Sequence, residues 1–273
     1  MSKSILITGI NGFVAKHIAV RAKQLGYKVI GTVSNPSKIE SSLIYVDEIY
    51  VFNLLDKQLP LFNSQIDYVI HCAIDIENPK PSIQRTIELN EKISEKNRSK
   101  CIFVSSISMN EANKSNYSII KQELEKYFKV INNSLIVRPG LILGDGGLFQ
   151  TMSRYVQNGN LIPLPDGGKY KMAVITIDKF VDYLFYAMEG KVYGIKNLFD
   201  KKLITLAQIV RDIAKKSNKR IFIIYIPISF VEFFGPLVIT ILKLINVKIS
   251  FDSIIGYKLY RDMILPESDL GNQ

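Results

Sequence analysis

At 273 residues the chain is long enough for one substantial hydrophobic core, or for one domain with a smaller lobe. An apolar fraction of 47% against 22% charged residues excludes an intrinsically disordered chain, and two cysteines exclude a disulfide framework. The net charge of +10 suits an anionic partner, yet the lysines are dispersed and form no run that would serve as a nucleic-acid-binding arm.

Short apolar runs over 4–8, 28–33, 49–52, 68–72, 100–105 and 134–137 predict strands. Helical periodicity fills 14–25, 83–96 and 117–131 between them. This alternation predicts an α/β fold, a doubly wound parallel sheet that binds its ligand at the carboxyl ends of the strands. The first strand begins almost at once, with Ile5-Leu6-Ile7, so no signal peptide is expected and the cytoplasm is the expected location.

Beyond Gly140 the texture changes. Gly144-Asp145-Gly146-Gly147 and Pro163-Leu164-Pro165-Asp166-Gly167-Gly168 read as loops, with helices expected over 148–158, 178–188 and 205–216. The expected partition is a nucleotide-binding domain over 1–150, to which 172–200 returns, and a lobe over 151–273 that mainly binds substrate. Residues 221–245 are apolar and about long enough to span a bilayer, but Pro227, Glu232, Pro236 and Lys243 interrupt them. Ser229-Phe230-Val231-Glu232 reads as a capping box, so a buried or lid-forming helix is expected there. Peripheral membrane contact is the weaker alternative.

Thr8-Gly9-Ile10-Asn11-Gly12-Phe13-Val14-Ala15 joins the first strand to the first helix. Gly9 permits a tight turn, Gly12 lets a pyrophosphate approach the backbone, and Ala15 is the small residue needed where helix and strand pack closely. Tyr117 and Lys121 stand one helical turn apart on one face, where the lysine charge is expected to lower the phenol pKa. With the serine pair Ser105-Ser106 upstream, they suggest a hydride-transfer site. His17 and His71 are the only histidines and lie far apart, so no metal site is expected.

With these marks the chain resembles an extended short-chain dehydrogenase/reductase of the NAD-dependent epimerase/dehydratase family. Thr8 to Ala15 resembles the TGxxGxxG/A turn, and Val69-Ile70-His71-Cys72-Ala73 the VIHxAA strand. Phe103-Val104-Ser105-Ser106 resembles the strand carrying the catalytic serine, Tyr117 to Lys121 the YxxxK pair, and Glu125 follows as it often does. Arg138-Pro139-Gly140 resembles the RPG segment, and Val174-Ile175-Thr176-Ile177-Asp178 the HVDD segment.

The resemblance implies a Rossmann-type sheet with a smaller C-terminal substrate-binding lobe. It implies Tyr117 as general acid/base, Lys121 as holder of the nicotinamide ribose, and Ser106 as hydrogen-bond donor to the substrate oxygen. Ser105 is the runner-up and a candidate substrate contact, and Ser108 a weaker one. Pro139 and Gly140 would shape the nicotinamide pocket, Cys72 and Ala73 would leave room for the dinucleotide, and His71 is expected to be structural. Phe13 and Val14 complete the phosphate turn. Lys169 and Lys171 sit where family members bind a substrate diphosphate.

Departures narrow the reading. After the second strand, Val33-Ser34-Asn35-Pro36-Ser37-Lys38 lacks the acid that NAD users place there; Ser34, Asn35 and Lys38 could take a 2′-phosphate, which favours NADP over NAD. Asn53-Leu54 stands where Asp-Leu often meets the adenine. Lys179 replaces the second Asp of HVDD, and no functional account of it follows from the sequence. The Asp-Glu pair of dehydratases is absent: Ile107-Ser108 follows Ser106, with Glu111 further on. The resulting expectation is a reductase of a keto group on a nucleotide-linked sugar. A 4-epimerase is the chief rival, with a reductase of a hydrophobic or lipid-linked ketone and a non-catalytic NAD(P)-binding module as others. A homodimer is implied by resemblance alone.

Overall fold

The computed structural model describes residues 2–39, 44–96, 99–109, 115–227, 229 and 264–271. In chain order the first half comprises β1 (Ser4–Ile7), α1 (Phe13–Gln24), β2 (Lys28–Val33), β3 (Glu48–Val51), β4 (Tyr68–His71), α2 (Pro79–Lys96), β5 (Lys100–Val104), α3 (Asn116–Lys129) and β6 (Ser134–Pro139). The second half comprises β7 (Leu141–Leu143), α4 (Gly147–Asn158), β8 (Leu161–Pro165), β9 (Lys171–Met172), β10 (Val174–Thr176) and α5 (Ile177–Glu189). It continues through β11 (Gly194–Leu198), β12 (Ile204–Thr205), α6 (Leu206–Lys216) and β13 (Phe222–Ile226).

The central sheet has seven strands in the order β11-β6-β5-β4-β1-β2-β3, all parallel. Its apolar runs are continuous because both faces are covered. Ile5, Ile7, Ile70, Ile102 and Val104 pack under α1 and α5. Leu6 and Val69 meet α2 through Leu89 and Ile93, while Phe103 and Ile136 meet α3 through Leu124 and Phe128. The connection reverses direction at β1, which has β2 on one side and β4 on the other. A ligand crevice opens at that reversal.

Most elements lie close to their expected spans. Helix α2 begins earlier than its periodicity predicted, at Pro79, because prolines in a first turn forfeit no intrahelical hydrogen bond. A second apolar cluster gathers Val156 of α4, Ile162 and Leu164 of β8, and Val210 and Ile213 of α6.

The helix expected over 221–245 needs correction at its start. Phe222–Ile226 form strand β13, parallel to β8, since a β-branched and aromatic run ahead of Pro227 favours extended backbone. The rest of that segment and most of the expected capping box lie outside the described residues. Among the described residues no helix is long and apolar enough to cross a membrane. The described tail returns to the sheet edge: the Asp269 amide donates to the Asn197 carbonyl at 2.8 Å, and Leu265 packs with Ile107, Ala173 and Phe199.

Candidate active site

The chain leaving β1 must reverse direction before α1 begins. Gly9 makes that turn at φ +67°, a left-handed backbone disfavoured for L side chains, and a Cβ there would stand 3.0 Å from the Ala73 Cβ. Gly12 closes the turn by donating its N–H to the Gly9 carbonyl at 2.8 Å. The Thr8 hydroxyl accepts from the Cys72 and Ala73 amides at 3.0 and 3.1 Å, which fixes the end of β4 beside it. Among the described residues no side chain caps α1, and its first turn carries no acid, so its leading amides and the positive end of its dipole are available to an anion.

The turn borders a cleft of about 640 Å³. Gly9, Asn11 and Gly12 form its floor; Thr32 to Ser34 at the end of β2 and Phe52, Asn53 and Leu54 after β3 form one wall. Cys72, Ala73 and the loop 74–77 form the other. The size, the glycine floor and the uncapped helix fit a dinucleotide. Ser34 is exposed at the rim. Asn35 is turned elsewhere: its Oδ1 accepts from the Ser37 amide and hydroxyl, both at 2.9 Å. The Lys38 side chain lies outside the described residues. Asn53 Oδ1 accepts from the Leu55 amide at 3.0 Å, so its amide NH₂ is the group left for a base.

Phe13 and Val14 would serve the cleft through backbone, not side chain. The Phe13 ring lies on the Gly144-Asp145-Gly146-Gly147 loop, where a Cβ on Gly146 would come within 2.1 Å of it. Packing therefore explains that glycine loop.

Past Cys72 the cleft meets the corner that holds Ser106, Tyr117 and Lys121. Ser115 caps α3 by accepting from the Ser118 amide at 3.3 Å, which starts the helix beside Tyr117. Lys121 is buried, donates from Nζ to the Val104 carbonyl at 2.6 Å, and lies 4.8 Å from the Phe103 ring centre and 5.7 Å from that of Tyr117. Burial pulls its pKa down to about 8, against opposing contributions from Cys72 and Glu125. The half-buried Tyr117 has its pKa raised by burial, while the interaction with the Ser106 hydroxyl pulls the other way. The expected lowering by lysine is not what this geometry gives. The ammonium is directed at the Val104 carbonyl and the ring faces, so desolvation of the phenol dominates.

Ser106 is half-buried and shares a hydrogen bond with the Ser108 hydroxyl at 2.8 Å, also accepting from the Ser108 amide at 3.2 Å. Ser105 is buried, its Oγ without a partner among the described residues and its amide donating to the Val137 carbonyl at 2.8 Å. The tyrosine thus meets Ser106. His71 is buried with Nε2 3.1 Å from Asn90 Oδ1, and burial lowers its pKa to about 4, which keeps it neutral.

Other sequence marks act through contacts that spacing did not reveal. Glu125 receives a two-point contact from Arg138, Nε to Oε1 at 2.9 Å and Nη2 to Oε2, which ties α3 to β6. Gly140 is required by close approach: a Cβ there would lie 2.6 Å from the Ala173 carbonyl oxygen. Pro139 accepts the Ile107 amide at 3.0 Å, so this segment borders Ser106. Asn116 donates from Nδ2 to the Ile76 carbonyl at 2.9 Å, holding the cleft loop to the start of α3. No short-range signal could have shown that pair. Lys179, unexplained by sequence, pairs with Asp200 at 2.6 Å. Lys169 and Lys171 are exposed and do not line the cleft.

Comparison with known proteins agrees with this arrangement. An uncharacterized oxidoreductase of Saccharomyces cerevisiae is 35% identical over 85 residues, a match that spans 27% of this chain and only 24% of the yeast protein. The UDP-glucose 4-epimerase of Thermotoga maritima, solved with UDP-glucose, superposes with a TM-score of 0.64 at 18% identity, covering 82% of this chain and 85% of that one. The UDP-N-acetylglucosamine 4-epimerase of Methanobrevibacter ruminantium, solved with UDP-N-acetylmuramic acid, gives 0.68 at 18% identity, covering 83% and 86%. At such identities these structures share the fold. A sequence profile described as the NAD dependent epimerase/dehydratase family matches residues 5–197, and the chain belongs to that family.

Proposed function

We propose that the chain is an NAD(P)-dependent oxidoreductase in which Tyr117 delivers a proton to the oxygen of a keto group on a nucleotide-linked sugar. The observation that carries this reading is the corner where the Ser106 hydroxyl and the Tyr117 phenol meet beside buried Lys121. Burial keeps the phenol protonated at neutral pH, the state a proton donor needs. Ser106 would hold the substrate oxygen as the proton is delivered. A bound nicotinamide would supply the hydride. Gly9, Gly12 and the leading amides of α1 would hold its phosphates, and Lys121 its ribose. Ser34 at the rim, with no carboxylate at the end of β2, supports NADP over NAD. Lys169 and Lys171 are candidates for the substrate diphosphate, within a substrate lobe drawn mainly from 151–273. A cytoplasmic homodimer completes the reading.

The two neighbours named as 4-epimerases favour a second reading, 4-epimerisation. Incubating the protein with NADPH and nucleotide-linked keto sugars separates the two, because a reductase consumes NADPH and an epimerase shows no net consumption. Tyr117→Phe should lower kcat by about a hundredfold to ten-thousandfold with cofactor affinity retained. Undiminished turnover in that variant would sink both readings.

A further inference from the structure

Away from the cleft, one end of the second apolar cluster carries a surface that the proposed chemistry does not use. Helices α4 and α6 end there and strands β8 and β13 begin there, joined by Gln157 Nε2 donating to Ser217 Oγ at 3.2 Å and by the Phe222 amide donating to the Asn160 carbonyl at 2.7 Å. Leu161 and Phe222 are register partners on the paired strands, yet they are 57% and 69% exposed, values far above those of residues packed into a core. Ile224, two residues along the same strand, is also exposed. The chain segment that leads into β13, 211–220, carries Arg211, Lys215, Lys216, Lys219 and Arg220 against a single acid, Asp212. Lys219 is engaged at the Gln157 carbonyl, while Lys215, Lys216 and Arg220 stand exposed. The two lysines also complement the C-terminal dipole of α6; Arg220 lies beyond the helix and has no such role.

We infer that this end of the molecule docks on an anionic phospholipid surface. An exposed aromatic and two aliphatic side chains, with exposed cations on the adjoining end of α6 and the turn that follows it, match the two components of such a surface, apolar interior and negative headgroups. The long cationic side chains can reach headgroups while Phe222 and Leu161 enter the acyl boundary. A second copy of the chain fits poorly, because a two-fold contact through this patch would set its cations against their own copies.

Cosedimentation of the intact protein with phosphatidylcholine vesicles, with and without phosphatidylglycerol, tests this. Binding is expected to the phosphatidylglycerol vesicles and to weaken as salt is raised. Lys215→Glu, Lys216→Glu and Arg220→Glu together should weaken it by about a hundredfold or more, at about 1 kcal/mol for each cation removed. Phe222→Ser should weaken it by about tenfold. Unchanged far-UV circular dichroism and dinucleotide affinity would establish that the variants fold, and the charge variant, confined to exposed side chains, keeps the test valid if Phe222→Ser does not. Absence of vesicle binding would overturn the inference, whether the patch instead holds another protein or nothing. So would binding that survives the charge reversal, since the contact would then lie elsewhere in the chain.

Discussion

The glycine turn after β1 and the Ser106–Tyr117–Lys121 corner at α3 hold their geometry by different means. In the turn, neighbours in sequence are neighbours in space, and the geometry rests on backbone: a left-handed Gly9, a closed Gly9–Gly12 hydrogen bond, an uncapped helix. At the corner, Cys72, Val104, Ser106, Lys121, Glu125 and Arg138 converge from separate strands, their ends and a helix, and the geometry rests on side chains. A backbone site fails when an added atom cannot be accommodated. A side-chain site is graded, because burial, a carbonyl and a counter-charge each shift the reacting group by part of the total.

The largest expected effect separates the two adjacent serines of the corner. Ser106→Ala should lower kcat by about a hundredfold to a thousandfold, the usual loss for one donor to a developing oxyanion. Ser105→Ala should leave kcat nearly unchanged, since its Oγ has no partner to lose among the described residues. Steady-state rates showing the reverse ranking would move the catalytic hydroxyl to Ser105.

Next comes the tie between α3 and β6. Glu125→Leu strands the Arg138 guanidinium beside a buried helix face, and loss of one partner of a buried pair costs about 3–5 kcal/mol. Arg138 keeps a quarter of its side chain exposed, so the low end, about 3 kcal/mol, is expected in urea unfolding. A loss below about 1 kcal/mol would show that the pair behaves as a surface contact.

In the turn, Gly9→Val adds side-chain bulk where even a Cβ would stand 3.0 Å from Ala73 and imposes a left-handed φ on a β-branched residue. Strain and overpacking of about 1–3 kcal/mol each should displace the phosphate cradle and cut dinucleotide affinity by about a hundredfold. Calorimetric titration with NADPH and NADH measures this, and unchanged affinity would remove the turn from the binding site.

The same contrast explains what was legible in the sequence. The parallel sheet and its flanking helices follow from local periodicity, and the glycine turn from residues adjacent in the chain. Tyr117 and Lys121 are legible because one helical turn relates them. Lys121 pointing to the Val104 carbonyl is not, nor is Asn116 reaching Ile76, because those partners meet only once the sheet has formed. Strand β13 was misread because the periodicity of a continuous apolar run does not separate a buried helix from a strand, and pairing with β8 decides between them. The pKa of Tyr117 was misjudged for the same reason: charge proximity can be read from spacing, desolvation cannot.

The smallest effect concerns the cost of holding a charged lysine at the corner. Burial lowers the folded-state pKa of Lys121 to about 8 from an ordinary value of 10.5, so the folded chain binds fewer protons than the unfolded chain between those values. Stability therefore rises with pH across that window, as the buried charge is given up first in the folded state. Below pH 8 the penalty is fully present. Lys121→Met should accordingly stabilise the cofactor-free protein at pH 7, by on the order of 1–3 kcal/mol. The gain should shrink as pH rises above about 8 and vanish near 10.5. Urea unfolding of both proteins across this range measures it directly. A methionine variant less stable than the parent at every pH would mean that the contacts of Lys121 with Val104 and Glu125 outweigh its desolvation. The corner would then be a stable structural feature rather than one held at a cost for chemistry.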